Sequence, residues 1–303
     1  MKFKTFILYV SFFLAVFFSM DFGLSKVLEK GISIFYGLNS PSQILLIGHS
    51  ELMLATDKVK MERELGYKVA KYTREGVDVH DRLVMIKHYF SLPNSDSVKL
   101  VIYGVDQFLF TSGGLSSNSY KLFYPFMDNK IISEYIRANA STFDYWSHKI
   151  IRTSRYTDAF VNHAIRGYLR NWDNFKIGTV NIEAIETDPT AGRRIRFDED
   201  YIEAFEETLD FLQQKDVKVM LISTPAVDLL NNIEPQNYAE ILSMFENYAT
   251  QYDNVVFFDL NPEFSSDYSL FYDFIHLNRD GQKVVSEAII RDVKSVLKQQ
   301  KFQ

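Results

Sequence analysis

Two short segments of this chain hold residue types that could carry out acyl chemistry. They are Gly48-His49-Ser50-Glu51 near the start and Asp273-Phe274-Ile275-His276-Leu277-Asn278 near the end. A serine hydroxyl is a weak nucleophile until a neighbouring base takes its proton, and a histidine is a dependable base only when a third group fixes its tautomer. An aspartate three residues ahead of a histidine in a turn can accept the Nδ1 proton and leave Nε2 to face a serine. Each segment also has a plain structural reading. Ser50 could simply cap a helix, with Glu51 favouring the helix dipole, and the second segment could be a surface loop in which Asn278 or Asp280 caps the last helix.

The surrounding elements favour the chemical reading. Ile44-Leu45-Leu46-Ile47 is an apolar run that predicts a strand buried on both faces, and Gly48 permits a sharp turn after it. From Glu51 to Leu65 the residues Leu52, Ala55, Val59, Glu62 and Leu65 form a stripe that predicts one amphipathic helix. Ser50 therefore falls where a strand hands over to a helix N-terminus, a place where outward-pointing backbone N–H groups can hold an oxyanion. Val255-Val256-Phe257-Phe258 reads as a second buried strand. The helix from about Asp280 carries Val285, Ile289, Val293 and Val296 on one face, which leaves Asp273 and His276 on the loop between the two.

Three further strands complete the rhythm: Tyr67–Tyr72, Leu100–Tyr103 and Val217–Ser223. Between them run helical patterns bearing Val79, Leu83, Ile86 and Phe90, then Tyr201, Phe205, Leu209 and Leu212, then a helix around Tyr238 to Tyr248. Five buried strands alternating with amphipathic helices predict a doubly wound parallel α/β sheet, whose ligands bind beyond the carboxyl ends of the strands. Ser50, Asp106, Thr224 and the Asp273/His276 loop all fall at such ends. Residues from about 111 to 197 break the alternation. They hold both tryptophans, Trp146 and Trp172, and a Ser/Gly run at 112–119, and they read as an insertion forming a lid, a partner surface or an extra helical layer.

Composition narrows the class. The chain has 303 residues, is 47% hydrophobic and 24% charged, and is globular in character, with a formal net charge of −6. That balance argues against nucleic acid, which calls for clustered Lys and Arg; the short cluster Arg193-Arg194-Ile195-Arg196 is followed closely by Asp198, Glu199 and Asp200. No cysteine is present, so thiolate chemistry and disulfides are excluded, and the six histidines show no ligand spacing.

The N-terminus predicts location. Lys2 and Lys4 precede sixteen uncharged residues, Thr5 to Met20, ten of them Phe, Ile, Leu or Val. Those ten supply on the order of −3 to −6 kcal/mol toward insertion into a bilayer. Sixteen helical residues rise about 24 Å, short of a ~30 Å hydrocarbon core, so snorkelling or local thinning would have to make up the rest. The end of the apolar run is bulky and offers only Gly23-Leu24-Ser25 as a small-x-small site, which favours an uncleaved anchor over a signal peptide. Two lysines ahead of the span keep that end cytoplasmic and put residues 21–303 outside. The expected organisation is an anchor at 1–22, a juxtamembrane connector at 23–40 and one α/β domain at 41–303 that carries the insertion.

With these pieces placed, the chain resembles the SGNH, or GDSL-like, hydrolase superfamily over roughly residues 41–110 and 198–298. Ser50 matches the serine after the first strand, and Asp273 with His276 match the closing Asp-x-x-His. Gly76 matches the glycine whose N–H serves the oxyanion hole. The position after the third strand departs from the common Gly-x-Asn-Asp, since this chain has Gly104-Val105-Asp106-Gln107, and His49 replaces the customary aspartate before the serine. An ionised aspartate cannot donate to an oxyanion, whereas Gln107 could.

Gly48-His49-Ser50-Glu51-Leu52 and Asp106-Gln107-Phe108 are similar to motifs of one branch, the membrane-anchored D protein of teichoic acid D-alanylation. SGNH proteins of polysaccharide O-acetylation work in the same setting. The resemblance implies a flavodoxin-like α/β/α sandwich and a serine acyltransferase or esterase tethered in a bacterial cytoplasmic membrane. Its substrate would be an extracytoplasmic glycan or polymer, its partner a membrane-bound O-acyltransferase. Ser50, His276 and Asp273 would be catalytic, and Ser50, Gly76 and Gln107 would form the oxyanion hole. No metal or organic cofactor is implied. The alternative is a non-catalytic envelope protein that keeps the fold and binds a glycan or a membrane acyltransferase through the aromatic insertion.

Overall fold

A computed structural model describes residues 3–112 and 118–299; the middle of the Ser/Gly run at 112–119 lies outside these residues. The chain forms two compact units. One comprises Met1–Asn39 with Tyr120–Asn171, the other Ser40–Ser119 with Trp172–Gln303. The sequence stretch 111–197 is thus shared, Trp146 belonging to the first unit and Trp172 to the second.

In the second unit β1 (Ile44–Gly48) is followed by α2 (Ser50–Ala55), α3 (Lys58–Leu65), β2 (Val69–Thr73), α4 (Val79–Phe90) and β3 (Leu100–Val105). After the chain returns come α8 (Glu199–Gln214), β4 (Lys218–Ser223), α9 (Asp228–Asn231), α10 (Pro235–Gln251), β5 (Val255–Asp259), α11 (Asn261–Phe264) and α12 (Arg279–Gln299). The five strands are all parallel, in the order β2-β1-β3-β4-β5. Every residue of β1, β2 and β3 is buried, as expected of strands covered on both faces. Because side chains alternate along a strand, Ile44, Leu46, Ile102, Met220 and Ile222 join Val285, Ile289 and Val293 of α12 in one core. On the opposite face Tyr103 packs edge-on against Phe205 of α8, and Phe257 packs at a tilt against Phe245 of α10. The strand order reverses between β1 and β3, so the crevice at this switch point lies beyond Gly48 and Val105.

The single helix predicted over Glu51–Leu65 is two. Thr56 donates its hydroxyl to the Leu52 carbonyl, ending α2, and the Asp57 side chain accepts from Lys60 N–H, starting α3. Ser286 of α12 spans the break, accepting from Asp57 N–H and donating to the Ala55 carbonyl. Val59, part of the predicted stripe, is half exposed as a result.

In the first unit α1 (Phe3–Tyr36) is one unbroken helix through the segment read as a connector, and its N-terminal part is long and apolar enough to cross a membrane. It is joined there by α5 (Lys130–Asn139), α6 (Thr142–Ile150) and α7 (Asp158–Tyr168). Gly31 of α1 meets Gly167 of α7 so closely that a Cβ on Gly167 would lie 1.9 Å from the Gly31 carbonyl oxygen. Aromatic pairs, among them Phe123 with Tyr135 and Tyr145 with Trp146, fill out this unit.

Candidate active site

Ser50 is the first residue of α2, one residue beyond the end of β1. The residue that caps this helix is its neighbour: His49 is extended and its Nδ1 accepts from Glu51 N–H at 3.1 Å. With capping done by His49, the Ser50 hydroxyl is left to face the last loop. There it lies 2.8 Å from His276 Nε2. His276 Nδ1 lies 2.8 Å from Asp273 Oδ2, while Asp273 Oδ1 accepts from the N–H groups of Ile275 (3.0 Å) and His276 (2.8 Å). Burial works to raise the Asp273 pKa, but the His276 ring and these two N–H groups outweigh it and hold the carboxyl below its usual range. An ionised carboxylate can only accept, so His276 Nδ1 donates and Nε2 is left as the acceptor for the serine proton.

The loop that carries the pair is pinned at both ends. Tyr272 N–H donates to the His276 carbonyl at 2.7 Å, and Phe271 bridges Leu277 in antiparallel fashion. Asn278 holds the base of the turn. Its Oδ1 accepts from Asp280 and Gly281 N–H at the start of α12, and its Nδ2 donates to the carbonyls of Ser269 and Gly178. Only glycine fits at 281, where a Cβ would lie 2.1 Å from the Leu270 carbonyl oxygen.

The departures at 49 and 106 turn out to be two halves of one contact. His49 Nδ1 is occupied as an acceptor, so Nε2 carries the proton and donates it to Asp106 Oδ2 at 2.8 Å. Asp106 Oδ1 accepts from Phe108 N–H at 2.8 Å, and Arg82, almost fully buried, lies 3.9 Å from the carboxylate while donating to the Gly104 carbonyl. Burial tends to raise the Asp106 pKa, but the His49 contact and the charges of Arg82 and Arg193 bring it well below the carboxylate range. Glu51, next to it and also buried, goes the other way: desolvation and the Asp106 charge push its pKa well up. Burial lowers the His49 pKa, consistent with a neutral ring. Asp106 thus ties the end of β3 to the turn that presents Ser50.

His49, Glu51 and Asp106 also offer three ligand atoms within 4.8 Å of one another, the geometry of a candidate cation site. Ligation through His49 Nε2 would require the other tautomer, which ends the Glu51 N–H cap. The hydrogen-bonded arrangement is the one the backbone supports.

Gln107 is buried, and its Nε2 has no hydrogen-bond partner among the described residues. It lines a small polar pocket with Glu51, Thr224, Asn231, Tyr238 and Asn261 beyond the ends of β3, β4 and β5. Gly76 occupies the turn after β2 with φ of +75°, a left-handed conformation natural to glycine. Thr224, at the end of β4, donates toward Glu51 at 3.4 Å. Sequence reasoning missed Arg82, Arg193 and the Glu51 carboxyl. Arg82 sits mid-helix in α4 with no local signal of burial. Arg193, whose guanidinium stacks 4.1 Å over Phe108, read as part of a neutralised surface cluster.

No protein-family model matches the chain, and no curated protein matches it. Among solved structures it is similar to a proposed acylhydrolase of Bacteroides fragilis, at 14% identity and a TM-score of 0.43, over 86% of this chain and 92% of that one. What fold and site together define is a doubly wound parallel α/β protein with a Ser-His-Asp constellation at the carboxyl edge of its sheet.

Proposed function

We propose that this chain is a membrane-anchored SGNH-type acyl-ester enzyme that transfers or hydrolyses O-acyl groups on an extracytoplasmic cell-envelope polymer. The observation that carries the reading is the continuous Ser50–His276–Asp273 relay, with both links at 2.8 Å. Ser50 Oγ attacks the acyl carbonyl as His276 Nε2 takes its proton. His276 then returns that proton to the departing alcohol oxygen as the tetrahedral intermediate collapses to an acyl-serine. A water or a sugar hydroxyl, deprotonated by the same histidine, releases the acyl group, and Asp273 steadies the imidazolium at each stage. The oxyanion is received by the N–H groups of Ser50 and Gly76 and by Gln107 Nε2, whose buried and unpartnered state supports its role as a donor. Asp106, occupied as an acceptor, supplies no oxyanion hydrogen bond.

The N-terminal part of α1 spans the bacterial cytoplasmic membrane with its lysines inside, and the sheet unit works outside. A membrane-bound O-acyltransferase is the partner that would deliver the acyl group. Hydrolysis of an aryl acetate by the full chain in detergent tests the chemistry. The wild type should release the phenol well above buffer, and Ser50→Ala and His276→Ala should both fall to the buffer rate. Activity retained by Ser50→Ala would refute the assignment of the nucleophile.

A further inference from the structure

The outward face of α6 is apolar and its inward face polar, the reverse of a helix that faces water. Phe143, Trp146 and Ile150, at i, i+3 and i+7, are 84%, 52% and 57% exposed, and Ile151 continues the strip. Asp144 and His148 of the same helix turn toward its own unit. Asp144 accepts from Tyr124 Oη at 2.5 Å, and His148 Nδ1 lies 2.7 Å from Ser154 Oγ. Among the apolar ones only Tyr145 is buried, with its hydroxyl 2.9 Å from Ser133 Oγ.

Where this strip stands along α1 is fixed by Asp21. That carboxylate is buried and receives three bonds from the turn Arg152–Arg155 that follows α6: Arg152 N–H and Thr153 N–H, each at 2.8 Å, and the Thr153 hydroxyl at 2.5 Å. Arg152 also lies over the Phe22 ring at 5.0 Å. The only charge between Lys4 and Lys26 is therefore hidden under the turn, while Phe22 and Leu24 beside it remain half exposed. The apolar length of α1 then runs from residue 5 to 25, a rise of about 31 Å and a full match to a ~30 Å core. Just past it a set of charges gathers at one level, Asp128 accepting from Lys26 (3.0 Å), Arg155 (3.1 Å) and Arg152.

Ile151 immediately precedes the turn held by Asp21, and Phe143 stands within about 11 Å of Ile150 along α6. The Ile151 end of the strip is thereby placed at the depth where α1 leaves the hydrocarbon. We propose that α6 is an interfacial foot: Phe143, Trp146, Ile150 and Ile151 insert into the outer lipid boundary beside the span and fix how the first unit stands on the membrane. This rests on the reading of α1 as a span. The aromatic residues suit that boundary, since Trp is enriched where apolar chains meet headgroups. The occupant is the bilayer itself and not a second protein, because the strip is uncharged and ends, at Ile151, on the turn that Asp21 holds against the span.

The two tryptophans provide a direct test. The full chain carrying Trp172→Phe, with Trp146 as its one reporter, is reconstituted into phosphatidylglycerol vesicles whose lipids are brominated either near the headgroup or near the chain ends. Trp146 should lose most of its emission to the shallow bromines, less to the deep ones, and shift to the blue relative to detergent-free aqueous protein stripped of lipid. A chain with Trp146→Phe, Trp172→Phe and Phe13→Trp reports on the span separately and should be quenched most by the deep bromines. If Phe13→Trp is quenched and Trp146 is not, the foot is overturned while the span stands. If neither is quenched, both readings fall. Phe143→Ser in the Trp172→Phe background, a mild surface change, should weaken the shallow quenching of Trp146; quenching that stays at the parental level would also count against the strip acting as a unit.

Discussion

Removing the Asp106 carboxylate should cost far more than its single hydrogen bond to His49 suggests. Asp106 is the anion facing Arg82, and both are buried, at 7% and 1% exposure. In Asp106→Ala the guanidinium stays in the interior without the carboxylate, and the N–H groups of His49 and Phe108 lose their acceptor. Breaking a buried pair from one side costs about 3–5 kcal/mol. For a unit of this size each kcal/mol moves the midpoint by about 2–4 °C, so the expected drop in Tm is roughly 6–20 °C. Asp106→Asn keeps one acceptor, for His49 Nε2–H or for Phe108 N–H, and loses the charge and the other acceptor. Its cost should be about 2 kcal/mol, from one hydrogen bond weakened from charged to neutral and one acceptor lost. The assay is thermal unfolding of the full chain in detergent, followed by Trp172 fluorescence in a Trp146→Phe background so that the sheet unit alone is read. Asp106→Ala within about 2 °C of the parent would refute the clamp. So would Asp106→Asn falling further than Asp106→Ala.

Other expectations follow from the same geometry. Asp273→Asn keeps the shape of the loop but can present an N–H where His276 Nδ1 now donates; kcat on an aryl ester should fall roughly 10³–10⁴-fold with KM little changed. His88 is buried against Tyr72, its Nδ1 3.1 Å from the phenol oxygen, and burial pushes its pKa down to about 4. The unfolded chain takes up that proton near pH 6.5 and the native one only near 4, so stability should fall as pH drops between those values. The loss is roughly 3 kcal/mol; urea titrations at pH 7 and pH 4 should show it in the wild type and much less of it in His88→Gln. Gly167→Ala forces α7 away from the Gly31 carbonyl of α1. It should destabilise the first unit by about 1–3 kcal/mol, read from Trp146 emission in the Trp172→Phe chain.

The sheet was legible because its strands appear as apolar runs; β1 to β3 are buried throughout, whereas Val255–Phe258 reads as a buried strand but lies at the sheet edge, where only Val255 is fully buried. Relays of short range were legible too: Asp-x-x-His closes on itself within a turn, and only the meeting with Ser50 required the sheet. The break between α2 and α3 has local signals in Thr56 and Asp57 that the stripe of apolar residues masked, and the residue that spans it, Ser286, lies 229 positions from Asp57. The partnership of His49 and Asp106 was hidden for a similar reason. Each residue looked like a departure by itself, and only the parallel pairing of β1 with β3 brings them to 2.8 Å. Asp21 appeared to end the apolar span, since no sequence pattern announces that residues 152–153 will cover its carboxylate.

The central claim is that Ser50 is a nucleophile activated by His276. Its most direct test is mass spectrometry of the intact full chain, and then of its peptides, after treatment with a fluorophosphonate. One covalent adduct should form, on the peptide containing Ser50. It should be absent in Ser50→Ala and form far more slowly in His276→Ala. An adduct that persists in Ser50→Ala, or that sits on another residue of the wild type, would contradict the account.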